Sequence, residues 1–559
     1  MIPRRRTRAA ASLFLAAVVV AAAGPEGLAR QPAKSAITPR TARVAFVPLD
    51  ERPRSLADVT QLGAVADVQI LAPPAALLSR HLKTGDGDGV ARWLDDLDLA
   101  AVDAVVISTD MLAYGGLIGS RTGRVREPDA RRRLEAIDRL KTRRRDLPVF
   151  AFTSLLRLQP TDDGGNPGWR QSLTDWATSS AGNAAADAAI RAKKAEDALP
   201  AGMLDTYRAV RARDLAITLA MIDRAGAGVV NALVIGDDEP LAEGVQVAER
   251  ARVAAAIAAS GASDRIFLRA GVEESAALLV ARAVFTRLAQ APAVRVTYSS
   301  DAARDRMKAA VGADLKIVGA REAAAKSAAT VSLEVFESGG AAPAEAVARR
   351  VLAPRDLVAV ADVGESEGGS LGLLETLRSS KAYPRLAGYA AGPTPQAATA
   401  TAVVQALALA SVVDRPAAGR SREALDRVAA AHARLLLSRA IEDVLYHDVI
   451  APQTVEELLA SRGVRPDAVP EKERPRVSTY VEKELTPLAQ SLVADFGLRP
   501  WHLPSRTAKA VGPGIVVKDL AKLAIAFPWG DMNEPELAFE LVVEPATTAP
   551  RPPAPRILR

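Results

Sequence analysis

Two adjacent carboxylates, Asp237 and Asp238, follow a short apolar segment and precede a stretch that is compatible with a helix. The apolar segment, residues 232–235, has the length and composition of a buried strand. Open α/β sheets and β/α barrels keep their functional residues at the C-terminal ends of such strands. An acidic turn that caps the next helix would show the same residues. Because the same arrangement recurs along the chain, we predict a site at this strand end.

Carboxylates, arginines and tyrosines also follow most of the other apolar segments. Our candidates for substrate binding are Asp50, Arg52, Asp110, Tyr114, Arg157, Asp362 and Tyr389. Further acids at such positions are Glu273, Glu274 and Asp301. If the segments are parallel strands, their C-terminal ends share one edge of the fold. We therefore expect these side chains to meet at a common site.

Histidine, cysteine and glycine-rich loops contribute little to this pattern. The chain has no cysteine, and its four histidines fall outside the predicted strand ends. This disfavours a Ser-His-Asp triad, a zinc site and a cysteine nucleophile. No Gly-x-Gly-x-x-Gly motif follows a predicted strand and no Walker lysine is present, which disfavours nucleotide cofactors. The primary expectation is a site without a cofactor.

Paired carboxylates without histidine suit glycoside hydrolysis, in which one carboxylic acid protonates the leaving oxygen and a second group supports the oxocarbenium-like centre. The layout is similar to that of the substrate-assisted β-N-acetylhexosaminidases with barrel folds. That similarity implies that Asp237 orients the acetamido group of the sugar and that Asp238 is the general acid and base. The first hypothesis is thus a glycosidase-like hydrolase acting on a glycan or another small molecule.

Two other classes of function remain open. Oxygen ligands alone bind Mg²⁺, Mn²⁺ or Ca²⁺, so Asp50, Asp110 and Asp237 or Asp238 could hold a metal in a hydrolase of phosphate or sulfate esters. The third class is a non-catalytic exported protein that binds a glycan or a peptide. In that case the acids and arginines, with Tyr114, Tyr389 and Trp169, would line a recognition cleft.

The elements that must position these residues alternate regularly. Apolar strand, polar end and helical segment repeat about eight times, which predicts a parallel sheet. We favour a (β/α)8-like barrel, with an open doubly wound parallel sheet as the alternative. Residues 159–176 are too rich in glycine and acids to predict a helix. After about residue 411 the pattern changes to long helices, with a small strand-like end at 515–517 and 537–543.

Composition indicates a globular protein without a nucleic-acid partner. The 559 residues are 49% hydrophobic and 25% charged, with a net charge of +6. A chain of this length buries a large core. The body of the chain contains no compact basic run with interleaved aromatic residues, so nucleic-acid binding is not indicated.

The N-terminus has the pattern of an export signal, since arginines at positions 4–6 and 8 precede an apolar run at 9–23. We expect a signal at 1–29, a linker at 30–42, an α/β domain at 43–411, a mainly helical region at 412–544 and a disordered proline-rich tail at 545–559. The predicted location is periplasmic or extracellular, without an integral membrane segment after removal of the signal.

Several stretches together resemble an uncharacterised bacterial family, the domain of unknown function 4127. They are VPLDERP at 47–53, STDMLAYGGLIGSR at 108–121, AGVEESAALLVAR at 270–282 and RAIEDVLYHDV at 439–449, with Asp237, Asp238, Gly244 and Glu249. The resemblance implies no particular reaction. The chain departs from the family pattern at Glu367, Gly392-Pro393 and Asp531. If those positions contact the substrate, the departures imply a different ligand or a loss of activity.

Overall fold

The computed structural model describes residues 41–161, 167–180, 186–324, 327–337, 341–353, 356–364, 370–392, 394–414, 421–497, 500–504 and 511–546. The predicted export signal, nearly all of the linker and nearly all of the proline-rich tail lie outside these residues, as do Glu367 and Pro393. Predictions about those segments stay predictions.

The described strands are β1 (Ala42–Val47), β2 (Val68–Leu71), β3 (Ala104–Ser108), β4 (Val149–Leu155), β5 (Ala232–Asp237), β6 (Ile266–Ala270), β7 (Ala293–Tyr298), β8 (Arg321–Glu322), β9 (Val331–Phe336), β10 (Val358–Asp362), β11 (Gly388–Ala390), β12 (Trp501–Leu503), β13 (Val511–Ala526) and β14 (Glu536–Pro545).

The described helices are α1 (Pro53–Val65), α2 (Gly87–Asp95), α3 (Thr109–Tyr114), α4 (Leu117–Ser120), α5 (Glu127–Arg143), α6 (Pro167–Ser179), α7 (Ala186–Asp197), α8 (Met203–Gly226), α9 (Val245–Ala259), α10 (Ser275–Arg287), α11 (Asp301–Val318), α12 (Ala341–Leu352), α13 (Leu371–Ser379), α14 (Pro395–Val413), α15 (Arg422–Arg439), α16 (Ala451–Thr454) and α17 (Arg474–Phe496). A π-helical segment, Ala440–Ile450, continues α15.

The strands of the α/β region belong to two parallel sheets. The first has the order β2-β1-β3-β4-β5-β6 and the second has the order β11-β10-β9-β7-β8. In chain order, the second strand of each sheet (β2 or β8) pairs with one side of the first strand (β1 or β7) and forms an edge. The later strands of each sheet lie on the other side of the first strand. The prediction of an α/β fold with parallel strands is confirmed. The (β/α)8-like barrel is not confirmed, and the strand order is that of an open doubly wound sheet.

Both faces of the first sheet are buried, which explains its nearly continuous apolar strands. Val44 and Phe46 of β1 pack in a core with α1 and α10. Ala45 and Val47, on the opposite face, pack in a second core with α2, α5 and α8. In register, Val105 of β3 pairs with Val149 of β4. Packing on both faces and pairing along the sheet therefore set the positions of the strand ends.

Helix α14 lies between the two sheets. It packs on β10 and β11 on one side and on α1 and α10 on the other. A helix that is surrounded by protein is apolar all round, and α14 is long and apolar enough to cross a membrane by length and composition alone. Because 83% of its most apolar window is buried inside the protein, we assign it to the core.

The structure corrects one local prediction, adds a strand that was not predicted and extends a third element. The stretch 159–176 is helical from Pro167 onward, because Leu173, Trp176 and Ala177 of α6 bury one face against Leu158. Strand β9 was missed. The strand-like C-terminal end extends to an antiparallel sheet of β12, β13 and β14, which packs on α15 and α17.

Candidate functional site

The C-terminal ends of β3 and β4 hold a buried acid. Asp110, in the first turn of α3, is fully buried. Ser154 of β4 donates to it twice, from its N–H to Oδ2 at 2.9 Å and from its hydroxyl to Oδ1 at 2.5 Å. Burial raises the pKa of Asp110 to about 6, although the Ser154 hydrogen bonds oppose this rise, and the charge of Asp238 adds to it. Asp110 therefore titrates close to neutral pH.

Asp237 and Asp238 form ion pairs with different arginines, because successive side chains of a strand point to opposite faces. Asp237 Oδ2 lies 2.6 Å from Nε of Arg250 in α9. Burial raises the pKa of Asp237, and Arg250 opposes the rise. Asp238 forms an ion pair with Arg121, which follows α4. The side chain of Asp238 is 16% exposed and that of Asp237 is 4% exposed, so Asp238 is the more accessible of the two to a ligand.

A cavity of about 420 Å³ lies next to this acid cluster. Arg121, the partner of Asp238, lines it together with Arg157, which follows β4, and with residues of α6 and α8 that include Trp169 and Tyr207. The volume falls in the range typical of small-molecule sites, about 300–1,000 Å³. Aromatic walls with a few charged groups can hold a sugar or another ring compound.

Arg211 fixes the wall of the cavity. Its Nη2 lies 2.6 Å from Glu249 Oε2 of α9 and donates to the carbonyl of Leu156 at 3.0 Å. Its Nη1 donates to the carbonyl of Arg157 at 2.8 Å. The hydroxyl of Tyr207 donates to the carbonyl of Leu158 at 2.9 Å. The segment after β4 is thus tied to α8 and α9 by its main chain.

Tyr114 lies beneath the loop that follows α4. It is buried at the end of α3, and the guanidinium of Arg213 lies 4.4 Å from the centre of its ring. Arg213 also donates to the carbonyls of Thr122 at 2.7 Å and Val125 at 2.9 Å. Tyr114 does not line the cavity, so its position is that of a support for the loop that carries Arg121.

Asp50 and Arg52 belong to a second cluster at the end of β1. Arg52 lies 2.8 Å from Asp50, 2.7 Å from Glu273 and 2.8 Å from Glu534. Burial lowers the pKa of Arg52, but the three carboxylates raise it more, so the pKa is well above its usual value. Glu534 comes from the segment between β13 and β14. This cluster therefore connects the first sheet to the C-terminal region.

Asp362 and Tyr389 belong to the second sheet. Asp362, at the end of β10, accepts hydrogen bonds from the N–H groups of Ser370 at 2.6 Å and Gly364 at 3.3 Å. Burial raises the pKa of Asp362 to about 7, and these hydrogen bonds oppose the rise. Tyr389 is fully buried. Asp301 is exposed at the start of α11.

The structure thus brings together Asp110, Arg157, Asp237 and Asp238, and it places the other candidates in separate groups. Among the residues that the structure describes, no group of three or more histidine, cysteine, aspartate or glutamate side chains is arranged to hold a metal ion. The set Asp50, Asp110 and Asp237 is accordingly not assembled as a metal site in the described part of the chain. The metal hypothesis stays untested, because metals can organise their own ligands.

Sequence reasoning missed several members of the site. Arg121 and Arg250 were not selected, because a single arginine in or beside a helix is ordinarily solvated. Tyr207 and Arg211 gave a weak signal: they lie four residues apart on α8 and therefore share one helix face. Nothing in the local pattern indicates which acid each arginine pairs with.

A family model described as "Protein of unknown function (DUF4127)" matches residues 44–537. No curated protein and no solved structure gives a significant match to the chain. The matched range begins in β1 and ends at the start of β14, so it contains both parallel sheets and the acid cluster. The resemblance inferred from the motifs is confirmed, and the chain belongs to the DUF4127 family.

Proposed function

We propose that this protein hydrolyses a glycosidic bond in a small glycan, with Asp238 as the acid and base and the adjacent cavity as the sugar site. One observation carries the proposal. Asp238 is the most accessible carboxyl of the acid cluster, and its ion-pair partner Arg121 lines the cavity. Asp110 and Asp237 lie deeper, with 0% and 3% of their surfaces exposed.

The proposed reaction is substrate-assisted. The acetamido oxygen of the sugar attacks the anomeric carbon while the bond to the leaving oxygen breaks, and Asp238 gives its proton to that oxygen. Asp238 then takes a proton from water as the water adds to the anomeric carbon and opens the ring of the intermediate. Asp237 would orient the acetamido group. The predicted export signal supports a periplasmic or extracellular substrate.

A second candidate function is non-catalytic binding of a glycan in the same cavity. The ion pair between Arg121 and Asp238 favours it, because the carboxyl that would act as the acid is already engaged by a guanidinium. Both functions use the same ligand site. They differ only in turnover.

The test is a panel of 4-nitrophenyl glycosides that includes the β-N-acetylglucosaminide. We expect the wild-type protein to release 4-nitrophenolate from at least one member. Asp238→Asn should release it at least about 100-fold more slowly and should have the melting temperature of the wild type. Asp264→Asn is the matched control, since Asp264 is an exposed acid before β6. Saturable binding without any product detected by mass spectrometry would overturn hydrolysis and support the binding protein.

A further inference from the structure

The charged residues in the described lining of the cavity beside Asp238 are arginines. Four arginines line it, Arg121, Arg124, Arg157 and Arg211. Arg121 is neutralised by Asp238 and Arg211 by Glu249. In the described ranges, no carboxylate lies within ion-pair distance of the other two. Within the described residues, two positive charges therefore face the cavity without a carboxylate partner.

Arg157 is the more enclosed of these two. It follows β4, and its Nε donates to the carbonyl of Gln159 at 3.0 Å. Among the residues that the structure covers, no group accepts a hydrogen bond from its two Nη atoms. Burial and the nearby charge of Arg121 lower the pKa of Arg157 to about 10, and Asp238 and Glu239 only partly oppose this. The guanidinium has thus lost part of its hydration, and the nearby carboxylates do not fully offset this loss.

A guanidinium with both terminal nitrogens open matches the two oxygens of a carboxylate in a planar fork. A bound carboxylate would replace the lost hydration of Arg157 and neutralise part of the cavity. Apolar and aromatic residues also line the cavity, among them Trp169, Leu173, Tyr207 and Val210. Such a surface suits the faces of a ring compound.

We propose that the cavity selects sugars that carry a carboxylate, and that Arg157 is the residue that recognises this group. The inference rests on the proposed function for the sugar part of the ligand. It adds the charge of the ligand and the residue that sets the specificity.

Monosaccharides test the inference without turnover, because they contain no glycosidic bond to be cut. Isothermal titration would compare N-acetylmuramic acid with N-acetylglucosamine, which lacks the lactyl carboxylate, and glucuronic acid with glucose. We expect the wild-type protein to bind the acid of at least one pair about tenfold more tightly than its neutral counterpart. Added salt should reduce this preference.

Arg157→Gln should abolish the preference, so that each acid binds no more tightly than its neutral counterpart. Arg157→Lys keeps the charge without the fork and should retain part of the preference. Arg145→Gln, which changes an exposed arginine between α5 and β4, is the control and should behave as wild type. Equal affinities within both pairs in the wild-type protein, or a preference that survives in Arg157→Gln, would overturn the inference.

The outcomes separate the two proposals. Absence of hydrolysis on the glycoside panel leaves a charge preference in binding intact. Conversely, hydrolysis of neutral glycosides without any preference for acidic sugars supports the proposed function and refutes the role of Arg157.

Discussion

Asp110 and Ser154 are joined by two hydrogen bonds that link the C-terminal ends of two neighbouring strands. The contact holds the end of β4 against the first turn of α3 and places a fully buried carboxyl beside Asp238. A carboxyl with two donors is stabilised in its charged form, but burial outweighs this effect and raises the pKa of Asp110 to about 6. The acid cluster therefore responds to pH.

This pKa predicts a pH-dependent stability. A carboxyl whose pKa is higher in the folded protein than in the unfolded chain binds its proton more tightly when folded, so its contribution to stability falls as pH rises from about 4 to about 6. Asp110→Asn does not titrate. Relative to wild type, its free energy of unfolding should improve between pH 4 and pH 7 by up to about 3 kcal/mol.

Urea denaturation of both proteins at several pH values measures this difference. Other buried acids with raised pKa values, such as Asp314, contribute equally to both proteins and cancel. A difference between variant and wild type that stays constant over this pH range would contradict the assignment.

Arg211 should be a large contributor to stability. It is 5% exposed and satisfies Glu249 and two carbonyls of the segment after β4. Arg211→Met leaves Glu249 without its partner, and breaking a buried pair in this way costs about 3–5 kcal/mol. Arg131→Met removes the exposed helix pair with Glu127 and should cost less than about 0.5 kcal/mol. Similar losses in the two variants would show that the Arg211 network is not structural.

Gly236 should not accept a side chain. A Cβ atom there would lie 2.6 Å from Cα of Val272 and 2.7 Å from the carbonyl oxygen of Gly271, and backbone atoms cannot move aside. Gly236→Ala should destabilise the protein by about 1–3 kcal/mol and disturb the end of β5. Gly312→Ala, in α11 with no atom within 4 Å of the new Cβ, should stabilise it by up to about 1 kcal/mol. A tolerated Gly236→Ala, judged by its melting temperature, would argue against this close approach.

Much of the strand layout was predictable, because buried parallel strands form apolar runs that end abruptly. The apolar segment at 232–235 was predicted as a buried strand, and it forms most of β5. Strand β9 was missed because Ser332 and Glu334 interrupt its apolar run. Both are satisfied by distant residues: Ser332 donates to Asp356 at 2.9 Å, and Glu334 lies 2.7 Å from Arg350. Such pairings are not visible in a local pattern.

The sequence pattern also did not predict which strands pair with each other. A barrel and a doubly wound sheet have the same alternation of strand and helix, so the pattern does not distinguish one sheet from two. The acids at the C-terminal ends of β3 and β5 meet because the two strands belong to one sheet and are separated only by β4. Asp362 has the same local pattern but ends a strand of the other sheet.

The central claim is that Asp238 protonates the leaving oxygen. The most direct test is whether the fall in kcat/KM caused by Asp238→Asn depends on the leaving group. Asp238→Asn and wild type would be compared on the phenyl and the 2,4-dinitrophenyl glycoside of the best sugar from the panel. Phenolate needs protonation to leave and dinitrophenolate does not, so we expect kcat/KM to fall by about 10²–10⁴ on the first substrate and by less than about tenfold on the second. Equal losses on both substrates would contradict the assignment of Asp238 as the acid.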